Sequence, residues 1–195
     1  MKTDIILSGV GGQGILSIAA TIGTAALQDG LNMKQSEVHG MSQRGGDVSS
    51  NMRVSDKPIA SDLISKGKAD VILSVEPMEA LRFVSYLKKD GWLITNSKPF
   101  KNIPNYPDIE GIYEEIRKIK NHIIVDADGI AKELKSLRSS NIVMLGAASP
   151  FIDMNFESFK NALRTIFGKK GEDVVAKNIL ALEKGREFTM SKINQ

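Results

Sequence analysis

An apolar run of strand length, Asp4-Ile5-Ile6-Leu7-Ser8, passes without a break into Gly9-Val10-Gly11-Gly12-Gln13-Gly14. The glycines fall as Gly-x-Gly-x-x-Gly at Gly9, Gly11 and Gly14, and an amphipathic stretch follows from Ile15 to Leu27. Ile15, Ile18, Ala19, Ile22 and Ala26 recur at helical spacing. Ala19, Ala20, Gly23, Ala25 and Ala26 keep that helix thin enough to lie close on a sheet. Strand, glycine turn and helix N-terminus together form a nest of backbone N–H groups suited to an anion such as a phosphate. The pattern predicts an α/β fold.

The 195 residues suffice for a sizeable core, and no repeat, low-complexity tract or linker divides them, so a single domain over 1–195 is expected. The net charge is only +3, and no basic run is interleaved with aromatics, so nucleic acid is not an expected partner. No stretch approaches the ~20 apolar residues of a membrane span. The first residues lead directly into a strand, without a leader pattern. A cytoplasmic protein is expected. The absence of cysteine excludes disulfides, thiolate zinc sites and any iron–sulfur cluster held by this chain.

After the first helix, Asp29-Gly30 predicts a turn and Leu31 to Gln35 a short strand. A dinucleotide-binding unit would place an acid near the end of that strand to hold a ribose hydroxyl. Gln35 and Ser36 stand there instead, and Glu37 falls in the loop that follows. That loop, Ser36 to Gly46, is polar and carries Glu37, His39, Ser42 and Arg44 before Gly45-Gly46. Connections of this length inside compact domains are often functional. Arg44 could offer its fork of donors to a carboxylate or phosphate, or pair with Glu37. Val48, Ser50, Met52 and Val54 alternate as a strand, and Pro58-Ile59-Ala60 begins a return, giving an inserted antiparallel hairpin.

Asp70 to Val75 reads as a buried strand, and Glu76-Pro77 opens a helix through Lys89 with proline at its favoured first position. Asp90-Gly91 turns into the strand Trp92 to Asn96, and the proline-bearing stretch from Lys98 to Pro107 is an irregular connection. A helix carrying Ile109, Ile112, Tyr113, Ile116 and Ile119 precedes the strand Asn121 to Val125. Asp126 or Asp128 caps the next helix. Asn141 to Ala148 is apolar all round, which suits a buried helix or a buried strand, covered by this chain or by a partner; the reading favoured is a helix capped by Asn141, opening a helical C-terminal region over about 141–190. The expected architecture is a single Rossmann-like three-layer α/β domain, with a mostly parallel sheet and one inserted antiparallel hairpin.

Two histidines and no cysteine assemble no nucleophilic triad, and neither paired carboxylates nor metal-ligand spacing is present, so no catalytic residue or metal site is assigned. The residues alone leave a phosphate-binding domain or a subunit. Three blocks in order then carry a resemblance: Ser8 to Gly14, Ser36 to Gly46, and Asp70 to Pro77. Together they resemble the gamma-type domain of the 2-oxoacid:ferredoxin oxidoreductases, and Asn141 to Gly146 with Asn178, Ala181 and Gly185 extend the likeness over roughly residues 4 to 185.

The resemblance implies a heteromeric enzyme. A large partner subunit would carry thiamine diphosphate, Mg and the iron–sulfur clusters, decarboxylate an aryl pyruvate, pass electrons to ferredoxin and form an acyl-coenzyme A. It also implies coenzyme A at this chain's surface. The candidate positions are Gly9, Gly11, Gly12, Gln13, Gly14, Glu37, Ser42, Arg44, Gly45 and Gly46, which could equally dock on the large subunit. The alternative is a self-standing NAD(P)- or nucleotide-binding protein, which accounts for the glycine turn alone.

Overall fold

The computed structural model describes residues 1–40, 45–101 and 103–194. Six strands form one mixed sheet in the order β2-β3-β1-β4-β5-β6. The strands are β1 (Lys2–Val10), β2 (Asn32–His39), β3 (Asp47–Ser55), β4 (Ala69–Ser74), β5 (Leu87–Asn96) and β6 (His122–Val125). β1, β4, β5 and β6 run parallel, while β3 pairs antiparallel with both β1 and β2.

The parallel strands are apolar on both faces, as burial under helices on both sides demands. Ile5, Leu7, Val71, Leu73 and Ile94 face one core with helices α1 (Ile15–Gln28), α4 (Ala127–Glu133), α5 (Ser140–Ala148), α6 (Phe156–Phe167) and α7 (Glu172–Ile193). Ile6, Ile72 and Leu93 face the other, with α2 (Pro77–Arg82) and α3 (Ile109–Arg117). The period-2 alternation sends successive residues to opposite layers. Among the described residues no helix is long and apolar enough to cross a membrane.

The inserted hairpin is β2–β3, with Met33 opposite Val54 and His39 opposite Val48. Pro58-Ile59-Ala60 therefore forms no return strand. Because β2 extends to His39, Ser36 and Glu37 belong to a strand and not to a loop. The expected helix through Lys89 stops at Arg82, followed by a 3₁₀ turn over Val84–Tyr86 and then β5. Leu81, Val84 and Leu87 do face the core, so their spacing reported burial and not helical continuity.

Asp90-Gly91 is a bulge within β5: Ala69 pairs with Leu87, but Val71 pairs with Trp92. A Cβ at Gly91 would lie 2.9 Å from the Ala69 carbonyl oxygen, so the bulge needs glycine. Asn141 lies inside α5 and is not its cap. All of Asn141 to Ala148 is buried within this chain, where α5 packs against α7, α4, α1 and the sheet.

Candidate functional site

β1, β4 and β5 deliver their carboxyl ends to a cleft of about 420 Å³, lined by Gly12, Gln13, Gly14, Val75, Asn96 and Lys98, with Arg138, Ser140 and Asn141 opposite. Ligands of open α/β sheets bind at this edge, because the loops there are free to diverge. The glycine turn is built to sit under it. A Cβ at Gly9 would stand 2.3 Å from Val75 Cγ2, so β1 can lie against Val75 only with glycine there. Gly14 is left-handed at φ 83°, and a Cβ would meet Asn141 Nδ2 at 2.5 Å.

The Gln13 side chain folds back into the turn. Its Oε1 accepts from Val10 N at 2.8 Å, and its Nε2 donates to the Val75 carbonyl at 3.3 Å. The side chain is thus a strut between the ends of β1 and β4. Asn141 Nδ2 donates to the Gly14 carbonyl at 3.1 Å, tying α5 to the start of α1. The amides of Gly12, Gly14, Ile15 and Leu16 have no acceptor among the described residues. Residues from the first turns of α1, α4 and α5 line one cleft, through Ser17, Asp128 and Ser140. Their dipoles bring positive potential to it.

Side chains add to that potential. Lys98 sits 3.6 Å from Asp128, whose other oxygen accepts from Asn96 Nδ2 at 2.8 Å. Asn96 Oδ1 accepts from Ala127 N, so this buried amide is fully engaged. Arg138 is exposed and has no ion-pair partner among the described residues. Asp126 is the cap of α4, accepting from Gly129 N at 2.8 Å, while Asp128 is a cleft residue.

The wall carrying Lys98 is held from below by Glu76. This fully buried carboxylate caps α2 through Glu79 N at 2.8 Å, and also accepts from Phe100 N at 3.3 Å and from the Tyr106 hydroxyl. Burial, then the bond to Glu76, pushes the Tyr106 phenol well above its usual range. The Tyr113 hydroxyl donates to the Ser97 carbonyl, and burial raises that phenol too. Beside Glu76, burial also pushes the Glu79 carboxyl up, against the opposing pull of Arg82. Its Oε2 is buried with no hydrogen-bond partner among the described residues.

The structure brings Gly12, Gln13 and Gly14 into the cleft, with Gly9 and Gly11 beneath. Gly11 N donates to the Gly46 carbonyl at 2.8 Å, so the second glycine pair seats on the first turn. Glu37 is on β2, bonded to His39 and, at 3.1 Å, to Gln35, and it does not line the cleft. Ser42 and Arg44 lie outside the described residues. The sequence reading missed Asn96, Lys98, Arg138 and Ser140. The signal for the first two was their place at and just after the carboxyl end of a parallel strand.

Residues 4–188 match the family model described as pyruvate ferredoxin/flavodoxin oxidoreductase. The chain belongs to this family. Its relatives include the indolepyruvate oxidoreductase subunit IorB of Pyrococcus horikoshii, 36% identical across 98% of both chains. The pyruvate/ketoisovalerate oxidoreductases common subunit gamma of Thermococcus kodakarensis is 29% identical over 96% of this chain and 97% of its own.

Among solved structures, a 2-oxoglutarate:ferredoxin oxidoreductase from Magnetococcus marinus, with 2-oxoglutarate, coenzyme A and succinyl-CoA bound, superposes with TM-score 0.77 at 25% identity. The match covers 97% of this chain and 31% of that longer one. The keto/oxoacid ferredoxin oxidoreductase gamma subunit of Geobacter sulfurreducens shares the fold, with TM-score 0.70 over 97% of this chain and 99% of that one, at 23% identity. The chain thus spans nearly the whole length of these subunit relatives, but 31% of the longer Magnetococcus marinus chain.

Proposed function

We propose that this chain is the non-thiamine-binding subunit of a heteromeric 2-oxoacid:ferredoxin oxidoreductase acting on indolepyruvate or a similar aryl pyruvate. The observation that carries the reading is 36% identity to an indolepyruvate oxidoreductase subunit across 98% of both chains. The complex oxidatively decarboxylates the 2-oxoacid, passes the electrons to ferredoxin and releases the acyl group as its coenzyme A thioester. A large partner subunit holds thiamine diphosphate, Mg and the iron–sulfur clusters. This chain's own donor set fits neither iron–sulfur clusters, since it has no cysteine, nor Mg, since no three His, Asp or Glu side chains cluster among the described residues.

The donor set does fit coenzyme A. The free amides at the start of α1, together with Lys98 and Arg138, suit its phosphates. In this proposal Gly12, Gln13 and Gly14 form the floor of the phosphate site, and Gly45 and Gly46 brace it from behind. Ser42 and Arg44, adjoining that brace in sequence, contact the coenzyme or the large subunit. The thiol end of coenzyme A supplies the acyl acceptor, while this chain's residues bind and orient the phosphate end.

The test is anaerobic co-expression with the large subunit, followed by an assay of 2-oxoacid- and coenzyme A-dependent reduction of a low-potential acceptor. Activity that needs both chains is expected. A cofactor-loaded large subunit equally active alone would remove the proposed role.

A further inference from the structure

Two hollows adjoin the cleft on its α7 side. The first, about 430 Å³, lies between the end of α4 and α7 and is lined by Lys132, Lys135, Leu137, Arg138 and Lys177, with Ser136. The second, about 370 Å³, shares Ser136, Arg138 and Lys177 and adds Lys170 and Asp173. Five cations therefore meet one acid, on a chain whose overall net charge is only +3. Asp173 is already taken by Lys177 at 2.7 Å. Lys132, Lys135, Arg138 and Lys170 have no ion-pair partner among the described residues.

Leu137 stands among these cations with 63% of its surface exposed. Lys135 adopts φ 52°, the left-handed position that closes α4: Ser136 N donates to the Ala131 carbonyl at 2.9 Å, and Lys135 N to the Lys132 carbonyl at 3.0 Å. Glycine is the favoured residue there. A lysine is carried instead, two residues before the exposed leucine and lining the same hollow.

We infer that this patch docks an acidic face of another protein, with Leu137 seated in an apolar socket and the lysines matched to carboxylates. The inference rests on the proposed function for the partner's identity, the large subunit of the oxidoreductase. An apolar knob ringed by unpaired charge is the build of a protein interface, where the charges steer encounter and set register. A small-anion pocket would instead gather buried donors on one point. Here Lys132 and Lys135 are exposed at the end of α4, outside the cleft lining, while Lys177 lies across the hollow on α7.

The experiment measures the dissociation constant between this chain and the co-expressed large subunit at low and high salt. The variants are Lys132→Glu with Lys135→Glu, and Lys135→Gly alone. Charge reversal is expected to weaken assembly about twentyfold or more at low salt, with the difference shrinking near 1 M salt, where screening is almost complete. Lys135→Gly is expected to raise the melting temperature of the free chain while weakening assembly about threefold, which separates docking from folding.

The Michaelis constant for coenzyme A, measured with the subunits saturating, is expected to stay unchanged. A wild-type complex indifferent to both variants overturns the docking surface alone. An unchanged dissociation constant with a raised Michaelis constant overturns it in favour of a coenzyme phosphate subsite. A wild-type chain that forms no complex overturns the proposed function and the docking together.

Discussion

Glu79 is a carboxylate held in surroundings that its charge does not favour. Its Oε2 is buried without a partner among the described residues, and burial holds the carboxyl above the usual range. A folded-state pKa above the unfolded value means the native state binds the extra proton more tightly. The native state is favoured most below the unfolded pKa, and this share of stability is lost as pH rises through the folded pKa. Glu79→Gln keeps the shape and removes the charge, so it should melt above wild type at pH 7, by roughly 2–4 °C for a chain of this size. The gap should close near pH 4, where the wild-type carboxyl is already protonated. Equal melting temperatures at both pH values would mean that the ion pair with Arg82 compensates the burial.

Arg44 can be tested at the same scale. Arg44→Ala should leave the melting temperature of the isolated chain near wild type but lower the activity of the assembled enzyme about tenfold or more, since bonds to charged groups contribute roughly 1.5–3 kcal/mol. A large loss of stability in the free chain would instead identify Arg44 as a structural ion-pair partner.

Among the elements, the crossing of α5 and α7 depends on two glycines that face each other's helices. A Cβ at Gly146 would stand 2.0 Å from the Leu182 carbonyl oxygen, and one at Gly185 would stand 1.9 Å from that of Val143. Neither neighbour can move without its helix. Gly185→Ala should therefore destabilise by about 1–3 kcal/mol or more, through forced separation of the helices. Gly111→Ala is the control: it sits in α3 with nothing within 4 Å of the added Cβ, and should gain about 0.5–1 kcal/mol of helix propensity. Thermal melts of both variants decide it, and two similar small effects would mean that the close crossing is not a constraint.

The elements also show what the sequence could and could not disclose. Strand β1, the glycine turn and α1 were legible because one local pattern specifies all three. The all-round apolarity of Asn141 to Ala148 announced burial correctly, but the close partner, α7, lies some forty residues on and left no local trace. The stretch after Pro77 misled because Leu81, Val84 and Leu87 keep helical spacing while Leu87 pairs with Ala69 in the sheet. Pairing with a distant strand overrode local preference there. The cleft was legible on its glycine side only, since Asn96 and Lys98 reach it from the end of β5 and Arg138 from the turn after α4, both far from the glycine turn in sequence.

At the scale of the whole molecule, strand order decides between the two classes of ligand that a glycine turn admits. In a dinucleotide fold the strand after the first helix lies beside β1, so an acid at its end reaches the ribose. Here β3 separates β2 from β1 and runs antiparallel to both. Glu37 is opposite Ser50, whose other neighbour is Leu7, and its carboxylate is engaged by His39 and Gln35. The glycine turn is retained, while the place where a dinucleotide fold puts its ribose acid is displaced by the hairpin.

The purified chain should therefore show no saturable binding of NADH or NADPH when titrated by fluorescence. Coenzyme A should protect the same chain from thermal unfolding, by an amount that grows with its concentration as site-specific ligation requires. Lys98→Ala combined with Arg138→Ala should abolish that protection without lowering the melting temperature of the unliganded chain, because among the described residues Arg138 is exposed and unpaired and Lys98 makes only a long pair with Asp128. Saturable NADH binding would return the glycine turn to the dinucleotide class. Protection that survives the double substitution would move the coenzyme out of this cleft.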